Sequence, residues 1–510
     1  MFLEQANSVI DVVIINPGAS RTIYQGLSED LSAIEPPAWC RMIAGWLIDR
    51  GVSVAILDQD AFRWTPEEVA EQVKKLNPRL VAIVVSGQQP SASTQQMTGA
   101  SLLAKAIQGV PKIMVGNHPS ALPVRTLTEE DVDYVCDGEG PLTIAGILNG
   151  DPLSEIPGLV WHDSSLYREA DDHSIVMNTL APLLPIDELH GDVWDMLPMG
   201  QYRAHTWQCL DGSPRSPYAS IYTTLGCPFK CSFCMINVFQ HSNTYRRRTP
   251  EKVVEQVKHL YQVYGVKTLK IADEMFVLDP SHYLPVCEGL AALPFAEELN
   301  IWAYARIDTV KPETLSLMRR AGIRWLALGI ESGSTHVRDG AEKSLDDNDI
   351  KETVKAIQDA GINVIGNFIF GLPDDTLESM RATLGLAKGL NCEFANFYSA
   401  MAYPGSRLFD EADTKDLPAS WDGYSQHSYT CRPLPTAQLS SADVLEFRDN
   451  AFHEYFSNAE YLDSIALKFG RRTVRHIVKM ASHRLPRQLI ERTALDFIHA
   501  DGKQNTARTG

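Results

Sequence analysis

The feature that most constrains this chain is an alternation of short apolar runs with amphipathic segments. It occurs twice, across residues 11–136 and again from about 217 to 400. Runs this short, bounded by turn residues, read as strands buried on both faces rather than as buried helices. In the first region they fall at 11–15, 52–57, 80–85, 111–115 and, shorter, 133–136. An amphipathic segment over 39–49 stops before Gly51. A second helix is expected to start at Thr65 and Pro66, where Thr suits the N-cap and Pro the first helical position. Strands alternating with helices of ordinary length predict a parallel sheet covered on both faces, so residues 1–150 are expected to form a doubly wound, Rossmann-like α/β domain.

The second region offers strands at 219–224, 268–271, 301–304, 325–328, 364–370 and 394–400, with helices such as 250–264 and 312–321 between them. Six such βα units over residues 206–410 point to a partial (β/α)6 barrel, whose chemistry belongs at the carboxyl ends of its strands. Residues 151–205 are looser, with a small strand near 156–161 and prolines at Pro182, Pro185 and Pro198, and read as a connector. Residues 411–510 carry Trp421, Tyr424 and Tyr429, then helical periodicity from Ala442, giving a mainly helical C-terminal region and a candidate cover for a substrate pocket. At 510 residues, the length fits about three domains.

Open α/β sheets bind ligands beyond the carboxyl ends of their strands. The residues there are Asn16, then Ser86 and Gly87 followed by Gln88, then Gly116, Asn117 and His118, then Gly138, Glu139 and Gly140. Small residues in such loops let backbone approach a large flat or phosphate-bearing ligand. A formal charge of −18 argues against broad attraction to nucleic acid or an anionic membrane. The single basic cluster, Arg246, Arg247 and Arg248, reads as a solvated helix start or an anion contact. The first residues carry Glu4 and no basic stretch before a long apolar run, and no stretch reaches the roughly 18 apolar residues of a spanning helix. A cytoplasmic protein without a membrane span is expected.

Nine cysteines in a chain this long do not suggest a disulfide framework. Cys40, Cys136, Cys209, Cys287, Cys392 and Cys431 are scattered and read as small buried apolar residues. The other three stand together: Cys227, Cys231 and Cys234 directly follow the first barrel strand. Three thiolates at this spacing can surround one metal centre, and in an iron–sulfur cubane they leave one iron without a protein ligand, open to a substrate. Zinc is the competing reading. It usually wants a fourth Cys or His, and the nearby His241 belongs to no recognisable pair.

This cysteine spacing is that of the radical SAM superfamily, which the chain resembles well beyond the cysteines, over roughly residues 10–410. The resemblance implies a [4Fe-4S] cluster on Cys227, Cys231 and Cys234, with the amino and carboxylate groups of S-adenosylmethionine (SAM) on its fourth iron. It places Phe233 beside the adenine and gives Asp273 and Glu274, at the second strand's end, the SAM amino group, in an Ala-Asp-Glu form instead of the commoner Gly-Gly-Glu. It sets Arg306 against the carboxylate, Glu331 and Ser332 against the ribose, and Asn367 along the adenine.

The N-terminal region is similar to the cobalamin-binding domain of the B12-binding, methyltransferase-type (class B) branch, on residues 115–123 and 133–140 with Gly51 and Asp58. The resemblance implies cobalamin contacts from Asn16, Ser86, Gly87, Gly116, Asn117, His118, Gly138, Glu139 and Gly140. No Asp-x-His-x-x-Gly sequence is present, so cobalt is expected without a protein ligand below it, and His118 is expected to hydrogen-bond within its loop.

The activity implied is methylation of an unactivated carbon of a small-molecule substrate through a 5′-deoxyadenosyl radical and methylcobalamin, with electrons from a donor such as flavodoxin or ferredoxin. Ring formation or rearrangement with the same cofactors stays open. A methylthiotransferase would need a second set of N-terminal cysteines, where only Cys40 and Cys136 stand. A cobalamin sensor or an electron carrier without turnover is the non-enzymatic alternative. Tyr398, Tyr403, Trp421 and Tyr424 are candidates to line the substrate pocket, and equally to be core.

Overall fold

The computed structural model describes residues 10–87, 89–163 and 174–491. Gln88 lies outside this range, as do the first residues on which the leader reading rests and the end of the C-terminal region. The first sheet contains β1 (Val12–Asn16), β2 (Val54–Asp58), β3 (Leu80–Val84), β4 (Lys112–Val115) and β5 (Tyr134–Cys136), parallel and ordered β2-β1-β3-β4-β5. In this order the chain reverses direction between β1 and β3, and the crevice beyond their carboxyl ends is where such folds take ligands.

Two strands absent from the expected domain extend this sheet. β6 (Leu159–His162) and β7 (Ile175–Met177) add antiparallel beyond β5. The connector expected over 151–205 therefore gives its first part to the sheet. Its signal was weak because β7 is short and its own residues are half-exposed.

The second sheet follows chain order. β8 (Tyr218–Ile221) is followed by a two-residue strand, β9 (Thr224–Leu225), which pairs antiparallel with β10 (Arg246–Arg247) and so brackets the cysteine loop. β11 (Thr268–Ile271), β12 (Asn300–Ala305), β13 (Ile323–Glu331), β14 (Asn363–Phe370) and β15 (Phe394–Ser399) then complete six parallel strands with β8. β8 and β15 are the two edges, so the barrel is open, as the count of βα units predicts.

Local chemistry explains the helices. Thr65 caps Pro66–Leu76, and with Glu68 it forms a reciprocal capping box. Pro250–Tyr264 begins on its proline and ends where Gly265 turns left-handed. Helix Ala38–Ile48, expected to be amphipathic, is instead buried along nearly its whole length, because all its residues but Arg41 are apolar or small. Trp39, Met42, Ile43, Trp46 and Leu47 are each buried, worth about 1.5–3 kcal/mol apiece. Arg41 sits among them, donating to Gly191 O at 2.7 Å and Ser220 O at 2.6 Å and stacking on Trp194 at 3.7 Å. One side chain thus ties the first domain, the connector and β8 together.

The C-terminal region is mainly helical, with Ser441–Phe456, Ala459–Phe469 and Arg471–Ala481. The first of these packs on β15, where Arg448 donates to Phe397 O at 2.7 Å. The segment before it crosses to the first domain: Ser425 Oγ donates to Ile23 O at 2.7 Å, and Gln25 Nε2 to His427 O at 2.7 Å. Among the described residues no helix is long and apolar enough to cross a membrane.

Candidate active site

A cavity of about 780 Å³ lies between the two sheets, reached by the carboxyl ends of both. On the first-domain side Asn16 and Ser86 line it, at the β1/β3 switch point, with Gln59 and Asp60 beside them. Asn16 Nδ2 donates to Asp58 Oδ1 at 2.8 Å, and Asp58 also accepts from Tyr202 Oη at 2.8 Å. Ser86 Oγ donates to Asn117 Oδ1 at 2.8 Å, so Asn117 supports the wall from behind.

The other first-domain residues sit away from the cavity surface. Gly116 has φ +122°, and an added Cβ would lie 2.5 Å from Val85 O, so backbone packing alone demands glycine there. Gly87, Gly138 and Gly140 also lie outside the lining. His118 is fully buried, edge-on to Trp421 at 4.6 Å, with Nδ1 3.2 Å from Thr94 Oγ1. Burial pulls its pKa down to about 3, so the ring is neutral. Its partner is on helix Ser93–Ala106 instead of its own loop, and the ring does not face the cavity.

Glu139 is an interdomain tie. It accepts from Arg246 Nη2 at 2.5 Å and from Leu184 N at 3.0 Å. The rest of the basic cluster is paired within the barrel and to the connector: Arg247 pairs with Asp279, and Arg248 donates to Gln256 at 2.7 Å beside Asp192. His241 Nε2 meets Asp137 Oδ1 at 2.6 Å, a second tie between the cysteine region and the first domain.

On the barrel side Cys227, Cys231 and Cys234 line the cavity as free thiols. Asn237 clamps their loop, accepting from Cys227 N at 3.1 Å and donating to Cys227 O at 2.7 Å. Burial pushes the Cys227 thiol up to about 11 and that of Cys234 higher still, so thiolates there call for a bound cation. Among the described residues no three Cys, His or carboxylate side chains converge as round a single ion. In a cubane each iron takes its own thiolate, so three free thiols on one cavity wall fit it.

The strand ends then supply polar groups. Glu274 lines the cavity, and burial raises its pKa to about 8; Gly226 N donates to it at 3.3 Å. Asp273 turns the other way, accepting from Thr223 N at 2.6 Å and Thr223 Oγ1 at 2.5 Å, so of the two acids only Glu274 faces the cavity. Arg306 forms a fork with Asp308 at 2.9 and 3.0 Å and lies 3.9 Å over Phe229. Glu331 sits at φ +65°, a conformation that costs a non-glycine residue energy, and accepts from Lys343 Nζ at 2.5 Å. Ser332 is buried against Thr383 Oγ1 at 3.1 Å and does not line the cavity. Asn367 lines it, held by Leu328 O at 3.1 Å and Asn396 at 2.9 Å. Phe233 lines it, packed on the small apolar cluster that includes Val337, Ile369 and Ala400.

Of the aromatic candidates, Tyr398 and Tyr403 line the cavity, whereas Trp421 packs on His118 and Tyr424 is core. Sequence reasoning missed Lys343, Glu35 and Lys270, all of which line the cavity. Lys270 carried a signal, a lone charge between Leu269 and Ile271 inside a barrel strand.

A model of the radical SAM superfamily matches residues 221–387, and a model of the B12-binding domain matches residues 26–148. The chain belongs to the cobalamin-binding branch of the radical SAM family. It is 29% identical over 378 residues to PH0819 of Pyrococcus horikoshii, an uncharacterized methyltransferase, covering 71% of this chain and 76% of that one. It is 23% identical to the anaerobic magnesium-protoporphyrin IX monomethyl ester cyclase of Cereibacter sphaeroides, covering 87% and 70%. In fold it matches the radical SAM methyltransferase TsrM of Kitasatospora setae, with a TM-score of 0.63 at 18% identity over 93% of this chain and 99% of that one. The cobalamin-dependent enzyme OxsB matches with a TM-score of 0.63 at 12% identity, covering 97% and 76%.

Proposed function

We propose that this protein methylates an unactivated carbon of a small molecule, with a [4Fe-4S] cluster, SAM and cobalamin as cofactors. The observation that carries the reading is a single cavity bounded by the cysteine loop on one side and the β1/β3 switch point on the other. When bound, the cofactors supply reductive SAM cleavage to a 5′-deoxyadenosyl radical and a cobalt-borne methyl group, chemistry the protein orients rather than performs.

The residues give that chemistry its geometry. Cys227, Cys231 and Cys234 hold the cluster. Glu274, a carboxyl kept partly protonated by burial, becomes the natural acceptor for the SAM ammonium, whose charge restores its own. Arg306, fixed by Asp308 and Phe229, presents its remaining guanidinium edge to the SAM carboxylate. Glu331, strained and held by Lys343, serves the ribose; Asn367 and Phe233 flank the adenine. Asn16 and Ser86 with Gln59 form the wall toward cobalamin. The segment tied to Ile23 and Gln25 walls the cavity on the C-terminal side through Gln426 and His427. A cytoplasmic setting with a flavodoxin- or ferredoxin-like donor suits a reaction that consumes electrons. Ring formation is the second reading, favoured by relatives named as cyclases at 23–25% identity.

Anaerobic reconstitution of the wild type and of Cys231→Ala tests the first half of the proposal. The wild type is expected to bind about four irons and release 5′-deoxyadenosine under reduction, and the variant to do neither. Equal release from both would overturn it.

A further inference from the structure

Deep in the barrel, on the cavity wall, stands a charged group outside the set assigned to the cofactors. Lys270, pointing inward from β11, lies 3.4 Å from Glu35 and 4.9 Å over the Trp302 ring. Glu35 is not a barrel residue. It comes from the first domain, just before Pro36, whose carbonyl accepts from Ser220 Oγ of β8 at 3.3 Å. His205 Nε2 is 3.9 Å from Glu35, its ring stacked on Trp207 at 5.5 Å. Both members of the pair are nearly buried, at 2% and 6% exposure.

Placing two full charges here is costly, and a pair of apolar residues of like volume would be at least as stable. The 3.4 Å separation is also longer than the 2.7–2.9 Å typical of a tight charge-assisted hydrogen bond. A ligand group can therefore bridge the two charges without a large loss of their direct contact. The cavity's other charges point the same way. Arg63 and Arg21 are paired with Glu29, Lys343 with Glu331, and Arg448 with Asp449, while Asp60 and Glu274 line the cavity on the first-domain and SAM sides. Arg306, fixed by Asp308, faces the SAM side. A net anion would enter without a dedicated counter-charge at this wall, and a net cation would have to displace Lys270.

We infer that Glu35 and Lys270 anchor the substrate by a headgroup of zero net charge that offers a donor to Glu35 and an acceptor to Lys270, with its apolar body against Trp302 and Tyr304. A zwitterionic α-amino acid group and a primary carboxamide share that chemistry. Because the site sits on the barrel strand next to Ala272-Asp273-Glu274, anchoring there would fix which substrate carbon faces the SAM end of the cavity. This rests on the proposed function only in taking the cavity as a substrate site.

The test uses reconstituted holoenzyme and four probes with one aromatic body: L-phenylalanine, 3-phenylpropionamide, 3-phenylpropionate and phenethylamine. Equilibrium dialysis measures their binding to wild type and to the paired variant Glu35→Gln/Lys270→Met, which leaves no lone buried charge. In the wild type, phenylalanine or the amide is expected to bind about tenfold tighter than the anion and the cation, the worth of one charge-assisted hydrogen bond. Whichever of the two binds more tightly tells zwitterion from amide. In the paired variant the preference should vanish, with iron content, cobalamin absorbance and substrate-free 5′-deoxyadenosine release unchanged. Tighter binding of the anion or cation, a preference that survives in the variant, or no saturable binding would overturn the inference. Loss of 5′-deoxyadenosine from the wild type would instead count against the proposed function.

Discussion

The Glu139–Arg246 pair joins the two domains whose cofactors must face each other, and its contribution can be worked from the contacts. Both side chains are mostly buried, at 5% and 15% exposure, with 2.5 Å between Oε1 and Nη2. Removing one partner of such a pair costs about 3–5 kcal/mol when nothing else satisfies the survivor. In Glu139→Gln the survivor is not abandoned, because Arg246 keeps Leu184 O at 2.6 Å. The new amide oxygen can still accept from Leu184 N. At about 1 kcal/mol for each of these two retained hydrogen bonds, the expected loss falls to about 1–3 kcal/mol. Arg246→Met should cost about as much, and the double variant should fall short of the sum by about 1.5–2 kcal/mol, as residues in direct contact do. The assay is urea unfolding followed by tryptophan emission, since Trp39, Trp46 and Trp194 are buried where the domains meet. Additivity within about 0.5 kcal/mol would refute the reasoning, because groups coupled through one buried ion pair cannot act independently.

Other outcomes follow from single positions. Gly116→Ala combines a left-handed backbone with a Cβ 2.5 Å from Val85 O and should destabilise the first domain by about 2–5 kcal/mol; a melting curve that matches the wild type would contradict this. Glu274→Gln should raise the dissociation constant for SAM about tenfold or more, by loss of a charge-assisted bond, read by equilibrium dialysis; unchanged affinity would remove Glu274 from the SAM site. The Asp137 contact raises the pKa of His241, so that tie contributes below about pH 6.5, the unfolded value, and fades as pH rises through the raised folded value. His241→Gln should flatten that limb of the plot of melting temperature against pH.

What the sequence disclosed was whatever local chemistry determines. Pro250–Tyr264 is legible because its start carries a proline and its end a glycine, and the barrel strands because each is a short apolar run. The three cysteines are close in sequence and therefore close in space. What escaped was long-range. Glu139 looked like a ligand contact because its partner Arg246 is 107 residues away. Asp273 and Glu274 are neighbours with opposite orientations, which no spacing argument separates. β6 was legible as a small strand but its place on the first sheet was not, and β7 gave little signal, because a short antiparallel extension needs neither a long apolar run nor a helix. Glu35, a first-domain residue, reaches the barrel wall only when the first domain docks.

If the protein works as proposed, one cavity serves both SAM and cobalamin. The most direct measurement supplies SAM labelled in its methyl group to anaerobically reconstituted protein under reduction and follows the label by mass spectrometry. Label found on cobalamin, together with 5′-deoxyadenosine, is the predicted result. Abundant 5′-deoxyadenosine with bound cobalamin that never carries the label would contradict methyl transfer and move the chemistry to ring formation.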